Sequence, residues 1–244
     1  MDKIKKILGK DLELSILVGI TLVVLIAAAA AFGGSMYSGR NIQSMAFQIP
    51  EFGFFALAMM LSNMVGGIDL SIIANANTVA IFTAYILNGT WSFGTEGAAR
   101  VLLAVTAAII TSLAFGVFNG FIIAKTSAPS LIATLGTMTF IQGIGMALTG
   151  GSSVGNIDPA FAEFGKAVFL GLPVIFWIFL AASVILGVII SFTGLGRKLY
   201  LYGGNPVAAR FSAINNEKMS ILVFMTTGLL AGMAGLIILS RVNS

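Results

Sequence analysis

Few side chains in this sequence can do chemistry, and their types narrow what that chemistry is. There is no cysteine and no histidine, which excludes disulfides, thiolate metal sites, imidazole proton shuttles and imidazole metal ligands. Two carboxylates, Glu51 and Asp69, lie in or beside long apolar runs, eighteen positions apart with Gly66-Gly67 between them. A membrane hydrolase would need carboxylates placed as a pair, or a Ser–Lys pair at span depth. This spacing makes no such pair, so no catalytic residue and no metal site are assigned.

Asp69 is the more informative acid. It follows Gly66-Gly67-Ile68 and precedes Leu70-Ser71. A carboxylate near membrane depth is costly and survives with a partner, internal water or unwound backbone beside it. It can cap a helix that starts near Ser71, with its charge at the positive end of the helix dipole. It can equally stand at a half-helix terminus beside a solute path. Glu51 follows Pro50 and reads as a structural residue of a first helical turn. Asn75, Asn77, Asn119, Thr134, Thr137 and Gln142 are neutral hydrogen-bonding groups within apolar runs, able to bond across helices or to line a hydrated pocket. The candidates for a translocation path are Asp69, Ser71, Asn75, Asn119 and Thr134.

The elements that must position these residues are membrane spans. Of 244 residues 58 % are hydrophobic and only 9 % charged, against roughly 25 % charged in soluble domains. The mean hydropathy is +1.02. Such a chain takes the bilayer as its solvent, and about 20 apolar residues cross it. Apolar runs at 14–32, 42–65, 72–87, 100–124, 131–149, 168–192 and 219–240 predict an all-α polytopic transmembrane bundle of about seven spans. Pro50 should break or kink the start of the second. The basic lead, residues 1–13, runs into an apolar stretch about as long as a full span, and Phe32-Gly33-Gly34-Ser35 is a poor small-x-small cleavage site, so the stretch reads as an uncleaved first helix. With that lead in the cytoplasm, nine basic residues fall inside (Lys3, Lys5, Lys6, Lys10, Lys125, Arg197, Lys198, Arg210, Lys218) and four outside (Arg40, Arg100, Lys166, Arg241). That bias predicts a cytoplasmic N-terminus, and it accounts for the net +4 without a nucleic-acid partner.

Residues 193–218 form a polar island with Arg197, Lys198, Arg210 and Lys218 against one acid, Glu217. Within it, Asn205 is a good N-cap, Pro206 fits the first helical position, and Ala208-Ala209-Arg210 favour helix. Gly203 and Gly204 could supply a positive-φ turn before it. By itself this is either a docking helix or a solvated loop whose charges set topology. Gly116-xxx-Gly120 and Gly228-xxx-Gly232 predict close helix packing. The glycine-rich stretch 150–155 lacks the lysine of a phosphate loop and reads as an external turn.

Four stretches, in order, give the chain a resemblance to the permease subunits of ATP-binding-cassette importers of the ribose, xylose, galactose and autoinducer-2 group. They are Ala56-Leu57-Ala58-Met59-Met60 leading into Gly66-Gly67-Ile68-Asp69-Leu70-Ser71; Gly116-Val117-Phe118-Asn119-Gly120; Ile132-Ala133-Thr134-Leu135-Gly136-Thr137-Met138 running to Leu148-Thr149-Gly150-Gly151; and Gly196-Arg197-Lys198-Leu199-Tyr200 through Gly203-Gly204-Asn205-Pro206-Val207-Ala208-Ala209-Arg210-Phe211. The resemblance implies one transmembrane permease domain over 1–244, with 193–218 as the cytoplasmic coupling loop. Its docking residues would be Gly203, Gly204, Asn205, Pro206, Ala208, Ala209, Arg210 and Phe211. The implied partners are an ABC ATPase subunit carrying ATP-Mg, an extracytoplasmic substrate-binding protein, and a second permease copy or paralogue in the inner (plasma) membrane. No cofactor is expected on this chain. The cargo would be a small neutral solute, a monosaccharide. Ile72-Ile73 stand where the family has Val-Gly, and the family extends past Ser244, so the chain is expected to be C-terminally incomplete. The rival readings are an ion-coupled secondary transporter or channel, and a non-transporting membrane scaffold.

Overall fold

A computed structural model describes residues 12–126 and 128–242. Lys3, Lys5, Lys6 and Lys10, on which much of the inside charge bias rests, lie outside the described residues. The chain forms two compact units that divide between Ala46 and Phe47.

In the first unit, helix α1 (Leu12–Phe32) is apolar around its whole circumference, and none of its apolar window is buried against protein. A helix without a polar face is built for lipid on all sides. A 3-10 turn, Gly33–Ser35, ends it and leads to α2 (Gly39–Met64). Pro50 lies inside α2, which continues through it. The break expected at Pro50 is absent, and the chain unwinds instead at Val65–Ser71, where Gly66 takes φ +70°.

The second unit carries the rest of α2 and then α3 (Ile72–Leu87), α4 (Gly97–Thr126), α5 (Ser130–Thr149), α6 (Pro159–Lys166), α7 (Val174–Phe192), α8 (Gly194–Gly204), α9 (Pro206–Phe211) and α10 (Asn216–Val242). Among the described residues, six helices are long and apolar enough to cross a membrane, and α3 is a shorter apolar one. Its 16 residues rise about 24 Å, short of the roughly 30 Å hydrocarbon core. The unwound segment before it supplies the missing length.

Helix α10 is the axis of this unit: 56 % of its apolar window is buried, against 11–28 % for the other spans of the unit. It packs most extensively along α4 and then along α3. A side chain on Gly116 would meet the backbone of Phe224 and Met225, one on Gly120 that of Ile221, and one on Gly228 that of Ser112 and Gly116. The small residues therefore serve close packing, as their spacing predicted. A second core joins Phe54, Ala58 and Leu61 of α2 to Ile175, Leu199, Ile214 and Val223.

The sixth span starts later than its apolar run. Val168–Phe169 pairs antiparallel with Leu172–Pro173, and the two-residue turn between them has φ +52° at Leu170 and +80° at Gly171. Positive φ at both central residues is the hairpin-turn geometry that matches strand twist. Trp177 Nε1 donates to the Phe169 carbonyl at 3.0 Å, tying the hairpin to α7. The preceding loop contains α6, whose start is capped by Asp158 accepting from Ala160 N at 2.9 Å.

Candidate functional site

The unwound segment before α3 is held by side chains from three helices. Ser130 Oγ accepts from Ile68 N at 3.0 Å, and Thr134 Oγ1 accepts from Leu70 N at 3.2 Å. The same Thr134 hydroxyl lies 3.0 Å from the Ile68 carbonyl and 2.8 Å from the Ser130 carbonyl, able to donate to either. Asp69 then binds both ways along the chain. Its Oδ1 accepts from Ser71 N at 3.0 Å and Ser71 Oγ at 2.7 Å. Its Oδ2 accepts from Thr227 Oγ1 of α10 at 2.9 Å. Asn119 of α4 donates its amide to Ser71 Oγ at 2.5 Å. The carboxylate thus stands just before the positive end of α3 and closes an Asx-type turn on Ser71, the helix N-cap, which makes no side-chain cap bond of its own. Asp69, Ser71, Asn119 and Thr134 form one cluster, none more than 1 % exposed.

Asn75, one turn further along α3, bridges α4 and α10 by donating to the Ser112 carbonyl at 3.4 Å and the Gly228 carbonyl at 3.3 Å. The amide oxygens of Asn75 and Asn119 have no protein partner. An unmet buried acceptor costs on the order of 1–3 kcal/mol, so this cluster holds a polar load that pure packing would not need. Sequence reasoning missed Thr227 and Ser130, because nothing local marks a threonine or serine as the partner of a distant acid.

Among the described residues the ion pairs lie away from this cluster. Glu51 is met by Arg241 at 2.5 Å, and Lys125 by Glu217 at 2.6 Å. The second pair sets the end of α4 beside the start of α10, at the end of the unit that carries α8 and α9.

There Thr193 caps α8, accepting from Gly196 N at 3.4 Å. Asn205 caps α9, accepting from Val207 N and Ala208 N, each at 3.0 Å. Gly203 and Gly204 belong to helix α8, and the corner is turned by Asn205 at φ −156°, ψ 98°; no positive-φ glycine is used. After α9, Ala213 takes φ +59°, with Ala213 N bonded to the Arg210 carbonyl at 3.1 Å and Ile214 N to the Ala209 carbonyl at 3.0 Å. That pair of bonds is a Schellman stop, complete with the contact of Ile214 on Ala209 that accompanies it.

The expected docking set divides in two. Gly204, Asn205, Pro206, Ala208, Arg210 and Phe211 are exposed, with Phe211 at 90 % and Val207 beside it at 66 %. Ala209 is a correction: it is 1 % exposed and joins Leu199, Ile214 and Met219 in the core. Gly203, near the end of α8, is half-buried against its own chain, where a side chain would fall on the Met64 carbonyl and the Val65 backbone. Ala209 faces inward because a helix of two turns docked on a bundle must spend one face on its seat. Gly203 also places the end of α8 against the turn that leads to Asp69.

At the opposite end of α3 a cavity of about 480 Å³ opens between α3, α5 and the loop after α5. Asn77 and Gln142 line it. Thr137 instead turns back on its own helix, donating to the Thr134 carbonyl at 3.2 Å.

Comparison with known proteins adds the lineage. The family described as branched-chain amino acid transport system / permease component matches residues 41–244. The L-arabinose transport system permease protein AraH of Escherichia coli (strain K12) is 32 % identical over 225 residues, 92 % of this chain and 66 % of that protein. The ribose import permease protein RbsC of Escherichia coli (strain K12) is 35 % identical over 234 residues, covering 92 % of this chain and 69 % of its own length. RbsC of Bacillus subtilis (strain 168) is 31 % identical over 226 residues, 91 % of this chain and 67 % of that protein. The chain spans about two thirds of the length of these curated relatives. No solved structure matches it at a significant level.

Proposed function

Because the chain belongs to the family described as branched-chain amino acid transport system / permease component, we propose that it is the membrane-spanning subunit of an ATP-binding-cassette importer for a small neutral solute, a monosaccharide. The observation that carries this reading is the face of α9. Val207 and Phe211 stand bare beside Arg210 on a helix that is capped at both ends and anchored through Ala209. A rigid helix that spends one face on its seat and leaves large apolar groups uncovered on the other is shaped to enter a cleft in a partner. In this reading the partner is an ABC ATPase, which carries ATP-Mg, and Arg210 meets acids on it.

ATP-driven closure of the ATPase pair would push on α8 and α9. The contact of Gly203 with Met64 would pass that push to the unwound segment. Asp69, Ser71, Asn75, Asn119 and Thr134 stand here as the closed floor of the translocation path, whose hydrogen bonds must exchange as the spans swing. The α8–α9 end faces the cytoplasm, in keeping with Lys125, Arg197, Lys198, Arg210 and Lys218 near it and with the positive-inside rule. The loops at the other end, with α6 and the hairpin, receive a substrate-binding protein. A second permease copy or paralogue completes the path in the inner membrane.

The solute is taken as a sugar because the relatives are named for arabinose and ribose and because the buried polar groups among the described residues, Asp69 apart, are uncharged amides and hydroxyls. The test is uptake of labelled L-arabinose, D-ribose and L-leucine by cells that express the chain with its ATPase and binding protein. ATP-dependent entry of a sugar supports the reading, and entry of leucine alone overturns the solute class.

A further inference from the structure

The cavity between α3, α5 and the loop after α5 is not part of the Asp69 cluster, and its lining is unusual for a membrane chain. Thr78 and Thr149 have their hydroxyls committed, to the Ile141 carbonyl at 3.1 Å and the Gly145 carbonyl at 3.0 Å. Asn77, Gln142, Ser152 and Ser153 line the same space, and their side chains have no hydrogen-bond partner in the protein, while Asn77 and Gln142 are exposed within helices. Asn75, two positions from Asn77, is by contrast fully engaged as a donor between α4 and α10.

Two amides on facing helices cannot remain unpaired in hydrocarbon. Something with hydrogen-bonding capacity must occupy the space they face. The lining contains no charged side chain, so it offers no counter-charge to offset the desolvation of a carboxylate, a phosphate or an ammonium group. It does offer two amide N–H₂ groups, two amide carbonyls and two hydroxyls, each able to pair with an alcohol. The volume, about 480 Å³, falls within the roughly 300–1,000 Å³ of small-molecule sites. The cavity begins about 9 Å along α3 from Ser71, on the side away from α8 and α9.

We propose that this cavity is a binding site for an uncharged polyhydroxylated solute, with Asn77 and Gln142 as the pair that grips it from opposite walls and Ser152 and Ser153 closing on it from the loop. The proposal rests on the importer reading for how the solute arrives, and it deepens that reading by assigning a site within a single chain.

The absence of cysteine makes the test clean. The full chain in membrane vesicles of both orientations is prepared as Ala80→Cys and Met146→Cys, which line the cavity and leave both amides in place, and, as a span-facing comparison, Phe140→Cys. Each is treated with a membrane-impermeant thiol reagent, alone and with a mixture of D-ribose, L-arabinose, D-xylose and D-galactose, or with L-leucine, or with D-gluconate. The first two variants should be labelled from the face opposite α8–α9, and Phe140→Cys should resist. Sugar at ten times its dissociation constant should slow labelling about tenfold by mass action, with leucine and gluconate without effect. Resistance of both cavity variants from either face overturns the site, as does labelling that the sugars leave unchanged or that the charged solutes slow equally. The labelling needs neither ATPase nor uptake. Lost protection with sugar uptake intact therefore condemns this site alone, and protection without uptake condemns the importer reading alone.

Discussion

The Thr227 hydroxyl of α10 donates to the Asp69 carboxylate at 2.9 Å, joining residues 158 positions apart. This bond ties the most buried of the long spans of the unit to the unwound segment between α2 and α3. It gives that segment one defined position and makes α10 a lever on it.

Thr227→Val keeps the side-chain volume and removes the donor, leaving Asp69 Oδ2 without its partner. A buried acceptor stripped of its donor costs on the order of 1–3 kcal/mol. The variant in detergent should therefore melt several degrees lower than the wild type. Thr226→Val, whose hydroxyl bonds only to the Leu222 carbonyl of its own helix, should change much less. Equal melting of the two variants would remove the bond from the account.

Asp69→Asn preserves shape and can still accept from Ser71 N. If the carboxylate holds this turn rather than coupling an ion, ATP-dependent uptake should survive this change. Uptake that becomes independent of ATP and sensitive to the ion gradient in the wild type, and is abolished in Asp69→Asn, would favour the secondary-transporter reading instead.

Much of this was legible in the residues. Asn205 followed by Pro206 announces a helix start, and the structure caps it with the expected side chain. The Gly-xxx-Gly pairs announced close helix packing, and the structure supplies the partner by laying the two motifs against each other in α4 and α10. Other features depend on what lies across space. Pro50 is tolerated within α2 because a long helix secured on both sides can lose one hydrogen bond and continue. Val168 to Pro173 is apolar enough to extend a span, yet Leu170-Gly171 turns it into a hairpin. Asn75 and Asn77 look alike in the sequence, but two positions are about 200° around a helix, which sends one into the core and the other to the cavity. In α9, six residues are too few for periodicity to say which of Ala208 and Ala209 faces inward.

Ala213 holds a left-handed conformation, φ +59°, in the stop that ends α9. Non-glycine residues pay roughly 1–2 kcal/mol there. Ala213→Gly should stabilise the chain by up to about 1 kcal/mol once the greater freedom of glycine in the unfolded state is subtracted. A thermal unfolding series in detergent reads this directly, and a lower melting temperature would contradict the assigned stop.

Gly203→Val places bulk against the Met64 carbonyl without touching the exposed face of α9. Because the clash is with backbone, α8 must move off that turn, and the variant should melt lower in detergent than the wild type. Unchanged melting would show that this contact does not hold α8 in place.

The central claim is that the exposed face of α9 seats the ATPase while Ala209 anchors it. Solubilised co-purification with the ATPase subunit tests this most directly, comparing wild type with Phe211→Glu, Ala208→Glu and Ala209→Glu. The account predicts that Phe211→Glu and Ala208→Glu reach the membrane at normal levels and lose the ATPase. Ala209→Glu, which puts an unpaired charge into the core, should instead reduce the amount of folded chain. Full ATPase recovery by Phe211→Glu and Ala208→Glu would contradict the claim.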